Sequence, residues 1–187
     1  QGRPILLEGE SGTGKTSLVA VAAKNLTGLM PFKGPLGEHV RLQDALLSRE
    51  IEGGASFIGY GALTQAMSGK ASSRDQEPKH QGGVYVQDEL NALESDAQFA
   101  IVKAASGVMP GQPYQLPFVG HVEVQPNFLF IAMQNKASPK YPRHKTDVAV
   151  RRALKVMPNP PLASGSGETA HARAAKGGAG AVRLAVL

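Results

Sequence analysis

Residues Gly9-Glu10-Ser11-Gly12-Thr13-Gly14-Lys15-Thr16 match the phosphate-binding pattern G-x-x-x-x-G-K-[ST] at every fixed position. The surroundings are those the pattern requires. The apolar run Pro4-Ile5-Leu6-Leu7 reads as a buried parallel strand ahead of it. Residues 16–26 follow as a helix with Leu18, Val19, Ala22 and Leu26 on one face. Glycines let backbone N–H groups converge on phosphate oxygens without side-chain clash, and a helix N-terminus adds a favourable dipole. Lys15 is expected to reach the β- and γ-phosphates, and the Thr16 hydroxyl to ligate Mg²⁺. Gly9, Glu10, Ser11, Gly12, Thr13, Gly14, Lys15, Thr16 and Ser17 together form a candidate nucleotide site.

A second apolar strand, Val84-Tyr85-Val86, ends in Gln87-Asp88-Glu89. Two carboxylates at a strand end suit metal-dependent hydrolysis: Asp88 would hold Mg²⁺ through water and Glu89 would polarise the attacking water. Gln87 stands where an apolar residue is more usual. An Asp-Glu pair alone often marks only a solvated corner. Behind a core strand, and downstream of a phosphate loop, the hydrolytic reading is the stronger.

Composition narrows the alternatives. The 187 residues suit one good-sized domain, with 42% hydrophobic and 19% charged residues as in ordinary globular chains. There is no cysteine, which excludes disulfide scaffolds, thiolate metal sites and cysteine nucleophiles. No apolar run reaches the length of about eighteen residues that a spanning helix needs. The sequence opens Gln1-Gly2-Arg3-Pro4 with neither an initiator Met nor a signal peptide. It reads as a piece of something longer, or a processed or engineered product, and an intracellular, soluble location is expected. Charge is uneven: residues 1–135 carry 10 basic and 13 acidic side chains, residues 136–187 carry 10 and 2. A basic C-terminal third suits nucleic acid, phosphate or an acidic neighbouring subunit, and charge alone does not choose.

Along the chain, residues 28–37 read as loop, residues 40–47 as a short strand or helix, and residues 53–61 as a loop or small hairpin. A helix carrying Leu63, Ala66 and Met67 follows, then a polar exposed insertion over residues 71–81. Leu90, Leu93, Ala97, Ile101 and Ala104 fall at helical spacing. Residues 108–124 suit a hairpin around Gly120, residues 127–133 a third core strand, and residues 153–156 a last strand. Alternating strands and helices predict a mostly parallel α/β sheet. Residues 1–158 are expected to form the domain. Residues 159–187 form an Ala/Gly-rich tail, with 13 of the last 26 residues Ala or Gly.

Asp88-Glu89-Leu90-Asn91, the spacing Phe57…Gly61…Leu63…Ala66…Gly69, and Pro126-Asn127-Phe128…Met133-Gln134-Asn135 resemble the AAA+ ATPases of the MoxR, dynein and midasin-related branch. The opening Pro4-Ile5-Leu6-Leu7-Glu8-Gly9 with Gly14-Lys15-Thr16-Ser17-Leu18 looks especially like a midasin-type module. The resemblance covers residues 3–157. It implies the three-layer α/β P-loop NTPase fold of an AAA+ large subdomain with a five-stranded parallel sheet. The phosphate loop is expected on a central strand and Asp88-Glu89 on a neighbouring one. It further implies a water-aligning sensor at Asn135 and an arginine finger at Arg152, with Arg151 a near-equal candidate. Residues 109–124 resemble the hairpin this branch inserts before the sensor strand, and residues 53–61 its helix-2 insertion. ATP and Mg²⁺ are the implied ligands, neighbouring AAA+ modules and a protein substrate the implied partners. The sequence departs from the branch in three places. The first strand begins only a few residues in, so an N-terminal element packing over the adenine is expected to be missing; the tail does not look like a helical lid, and residues 71–81 lengthen the usual connection.

Other signals are weaker. His39, His80, His121, His144 and His171 are scattered without metal-ligand spacing. Phe57-Ile58-Gly59-Tyr60-Gly61 could grip a polypeptide in a pore, though anchoring an insertion on the core is the more ordinary role. Lys136, Lys140, Arg143, Lys145, Arg151, Arg152 and Lys155 lack interleaved aromatics apart from Tyr141, and no nucleic-acid module is recognisable. Two alternatives remain open: a non-hydrolysing ATP-binding module of a ring, and a nucleic-acid-dependent ATPase.

Overall fold

The computed structural model describes residues 4–135 and 146–158. In chain order these form β1 (Ile5–Gly9), α1 (Lys15–Thr27), β2 (Phe32–Lys33), α2 (Leu42–Leu46), β3 (Leu47–Glu52), β4 (Ala55–Tyr60) and α3 (Ala62–Ser68). Then come β5 (Val84–Gln87), a 3-10 turn (Leu90–Ala92), α4 (Ser95–Ala105), β6 (Pro113–Leu116), β7 (Gly120–Glu123), β8 (Leu129–Asn135), α5 (Val148–Ala153) and β9 (Lys155–Pro158).

Five strands make a parallel sheet in the order β2-β5-β8-β1-β9. The expected five-stranded parallel architecture is present, but its lateral order corrects the expectation. β8 is the central strand, and it separates β1 from β5, so the phosphate loop and Asp88-Glu89 are not on adjacent strands. Parallel strands are joined by crossovers, and an apolar run carries no record of which run lies beside it. The register sets Gly9 opposite Asn135 at the C-terminal edge of the sheet.

Side chains alternate across a strand, so each strand feeds two cores. On one face, Val19 and Ala23 of α1 cover Ile5, Val84, Val86, Ile131 and Met133. On the other, α3, α4 and α5 bring Leu63, Met67, Ile101 and Val150, with Leu154 just after α5, against Leu6, Tyr85, Phe130 and Ala132. Full burial of one such side chain is worth roughly 1.5–3 kcal/mol. The result is helix, sheet and helix in three layers.

Two local expectations change and one open choice is resolved. Residues 28–37, read as loop, contain β2, whose Phe32 pairs with Tyr85 at the sheet edge. The helix read through Leu90 to Ala104 is two pieces, because Leu93 and Glu94 are extended (ψ 151° at both) between the 3-10 turn and α4. Helical spacing survives the break since Leu90, Leu93, Ala97, Ile101 and Ala104 all face the core. Residues 40–47, left open above, divide between α2 and the start of β3.

Residues 53–61 supply the Gly53-Gly54 turn and the second strand of an antiparallel hairpin whose first strand, β3, lies ahead of them, and β6 with β7 make a second hairpin. Gly61 and Gly69 bracket α3. The Gly61 N–H donates to the Leu46 carbonyl at 2.8 Å, and a Cβ there would lie 2.6 Å from the Ala45 carbonyl oxygen. Residues 71–81 contain no helix or strand, and are pinned where Asp75 accepts from the N–H groups of Ala71 and Ser72. Among the described residues, no helix is long and apolar enough to cross a membrane.

Candidate nucleotide site

The site assembles at the C-terminal ends of β1, β8 and β5. β1 ends at Gly9, the loop runs through residues 10–14, and α1 begins at Lys15. Gly12 and Gly14 both take φ 77°, a left-handed backbone that side chains disfavour, with open space where a Cβ would stand. The Thr13 hydroxyl donates to the Glu10 carbonyl at 2.8 Å, closing the loop on itself. Glu10, Ser11, Gly12, Thr16 and Ser17 are exposed.

Lys15 is buried, at 7% exposure, under this loop. Its Nζ donates to the carbonyls of Gly9 (3.1 Å) and Glu10 (2.7 Å) and to Asn135 Oδ1 (2.9 Å). Burial pushes the ammonium below the ordinary lysine range, and the charge of Asp88 acts in the opposite direction. The Thr16 hydroxyl, one residue on, donates to Asp88 Oδ2 at 3.5 Å.

Asp88 follows the last residue of β5. Its Oδ1 accepts the Glu89 N–H at 2.8 Å. Glu89 has φ 46° and ψ 46°, left-handed for a residue with a side chain, and turns the chain into the 3-10 segment. Asn135 is the last residue of β8, the strand between β1 and β5. Lys15, Thr16, Asp88, Glu89 and Asn135 thus come together from three strand ends.

Asn91 was quoted above only as part of a motif. It is buried, and its Nδ2 donates to the Asn135 carbonyl at 2.9 Å while its own Oδ1 is buried without a hydrogen-bond partner. It thereby ties the turn after Glu89 to the tip of β8.

Gln87, the polar residue in a core strand, is fully buried and satisfied. The Tyr85 hydroxyl donates to its Oε1 at 2.7 Å, and its Nε2 donates to the Pro35 carbonyl at 2.9 Å. This bond fastens the segment after β2 beside Asp88. Gly34 is required there, since a Cβ would collide with the Tyr85 hydroxyl and Gln87 Oε1.

Arg152 and Arg151 diverge. Arg152 is exposed on α5, with no ion pair among the described residues. Arg151 turns inward and makes a two-pronged pair with Glu8, at 3.1 and 3.2 Å. That pairing raises the guanidinium pKa above its ordinary value.

The other sequence candidates lie apart from this cluster. Phe57 packs under the Arg74 guanidinium, whose central carbon lies 4.2 Å from the ring centroid, whereas Ile58 is exposed. His39 is exposed, His80 stacks on Phe32, and His121 is exposed. His144, His171, Lys136, Lys140, Arg143, Lys145 and the tail lie outside the described residues, as does the place where a lid would follow residue 158. Among the described residues, no group of three or more His, Cys, Asp and Glu could hold a metal ion.

Comparison with known proteins bears on the fold and the family. The crystal structure of a "putative ATPase" from Cytophaga hutchinsonii ATCC 33406 shares the fold, with a TM-score of 0.53 over 83% of this chain at 14% identity. The match spans only 41% of that protein's chain. No curated protein matches the sequence. The family profile described as AAA domain (dynein-related subfamily) matches residues 4–153, most of the chain. The chain belongs to the AAA domain family, in its dynein-related subfamily.

Proposed function

We propose that the chain binds and hydrolyses Mg²⁺-ATP as one module of an AAA+ ring that remodels a protein complex. Residues 1–158 would be the nucleotide-binding unit and residues 159–187 a separate tail. The observation that carries this reading is the Lys15–Asn135 contact of 2.9 Å, beside Thr16 and Asp88 at 3.5 Å. A phosphate loop, a metal-type carboxylate and a strand-tip amide occupy one corner.

Each side chain then has a role its surroundings support. Lys15, with its three donors satisfied by oxygens, would exchange carbonyl partners for phosphate oxygens without leaving its pocket. The Thr16 hydroxyl and Asp88 carboxylate are hard oxygen donors from two elements, a set that fits Mg²⁺ because that ion keeps waters and substrate oxygens for its other positions. When bound, Mg²⁺ neutralises charge on the phosphates. Glu89 would accept the proton of the attacking water. Asn135, braced by Lys15 and Asn91, would align that water. Arg152, exposed on α5, would reach nucleotide held by a neighbouring subunit. Intact Asp88, Glu89 and Asn135 count against a purely structural module.

Calorimetry of Mg²⁺-ATP binding to Lys15→Ala tests the site. Loss of a charged hydrogen-bond donor costs roughly 1.5–3 kcal/mol, so affinity should fall about ten- to a hundredfold. Unchanged affinity would remove the phosphate-loop assignment.

A further inference from the structure

Behind the candidate site lies a polar network that the proposed chemistry does not use. Arg151 donates from both terminal nitrogens to the two carboxylate oxygens of Glu8, at 3.1 and 3.2 Å. Gln134 Nε2 donates to Glu8 Oε1 at 2.8 Å, and the Thr146 hydroxyl donates to Gln134 Oε1 at 2.7 Å. Glu8 and Gln134 lie opposite each other in register on β1 and β8. They share the sheet face that α5 covers, where Val150 and Leu154 join the core containing Leu6 and Ala132.

Position makes this network consequential. Glu8 immediately precedes Gly9, whose carbonyl holds Lys15, and Gln134 immediately precedes Asn135, whose amide oxygen holds the same ammonium. At its other end, Arg151 immediately precedes the exposed Arg152. We infer that Arg151 is a positioning residue, and that the Glu8–Arg151 pair transmits phosphate binding at Lys15 to α5 and hence to Arg152. The inference rests on the nucleotide reading above and adds a route by which one site informs the subunit surface.

The physical argument is one of stiffness. When Lys15 turns toward a phosphate, the Gly9 and Glu10 carbonyls and the Asn135 amide lose a shared cation, so both strand tips readjust. A two-pronged guanidinium–carboxylate pair fixes orientation as well as distance, so that readjustment moves α5 rather than being absorbed by side-chain rotation. A single-pronged contact would swivel.

Hydrogen exchange of the amides of residues 148–153, with and without Mg²⁺ and a non-hydrolysable imido analogue of ATP, tests the link on the full chain. In the parent, the analogue should change exchange across α5 severalfold. Arg151→Met should bind the analogue with largely unchanged affinity yet lose that change, and Arg151→Lys should regain part of it. Glu8→Gln keeps the side chain's shape and should behave as Arg151→Met; it carries the test if Arg151→Met fails to fold. A nucleotide-dependent change that persists in Glu8→Gln overturns the inference, as does a parent chain that binds the analogue with no change in α5. A parent chain that does not bind the analogue overturns the nucleotide reading itself, and the transmission with it.

Discussion

Lys15 spends all three of its N–H donors inside the protein, on two main-chain carbonyls and one amide oxygen. Its charge is stabilised by dipoles and by the more distant Asp88, while burial works against it. The sign of the pH effect follows. Only the protonated ammonium attracts phosphate, and its pKa lies below the ordinary 10.5 in the free chain. Nucleotide affinity should therefore fall as pH rises through that lowered value, earlier than an exposed lysine would allow. Titrating affinity against pH checks this; affinity constant to above 10.5 would contradict it. Glu89 makes the second residue-scale point. Its left-handed backbone costs about 1–2 kcal/mol, and such strain tends to persist where it aims a functional group. The turn between β1 and α1 was legible because the bonds that shape it, Thr13 to Glu10 and Lys15 to Gly9 and Glu10, are local in sequence. Gln87 was visible only as an oddity, since the partner that explains it, the Pro35 carbonyl, is 52 residues away.

At the scale of elements, glycines set how closely α3 approaches α2. A Cβ on Gly61 would press on the Ala45 carbonyl, the Leu46 carbonyl carbon and the Leu47 nitrogen, all main-chain atoms that cannot swing aside. Gly61→Ala should destabilise the fold by about 1–3 kcal/mol, the range for overpacking, read as a lower urea midpoint. An unchanged midpoint would mean α2 and α3 are not locked together there. Sequence spacing located α3 and the second hairpin, because caps and turns leave local glycine signals, but of the first hairpin it caught the Gly53-Gly54 turn and β4 and not β3. It missed the break at Leu93-Glu94, where core-facing apolar residues continue through an extended pair of residues. It also missed β2, whose two residues are ordered by pairing with β5 rather than by their own propensity.

At the scale of the whole molecule, strand order was the feature least legible. Placing β8 between β1 and β5 puts Asn135 between the phosphate loop and Asp88, and it also sets Gln134 beside Glu8. Neither the Lys15–Asn135 contact nor the Glu8–Arg151 pair, 143 residues apart, has a local sequence signature. Assembly supplies the prediction at this scale. In a sample shown by sedimentation to oligomerise, Arg152→Ala should keep ATP binding and lose most turnover, since a finger in trans contributes on the order of 10³–10⁵ in rate. Mixing it with Glu89→Gln should recover part of the activity, because one interface can then pair an intact Arg152 with an intact Glu89. Oligomers that hydrolyse ATP equally well without Arg152 would reduce that residue to a solvated side chain.

The central claim is that Lys15, Thr16, Asp88, Glu89 and Asn135 make one hydrolytic site, and Glu89→Gln tests it most directly. Binding and phosphate release should be measured on the same preparation with Mg²⁺ present. The account predicts parental ATP affinity with turnover lowered by about 10²–10⁴, the contribution of a positioned general base. Turnover at the parental rate would contradict it.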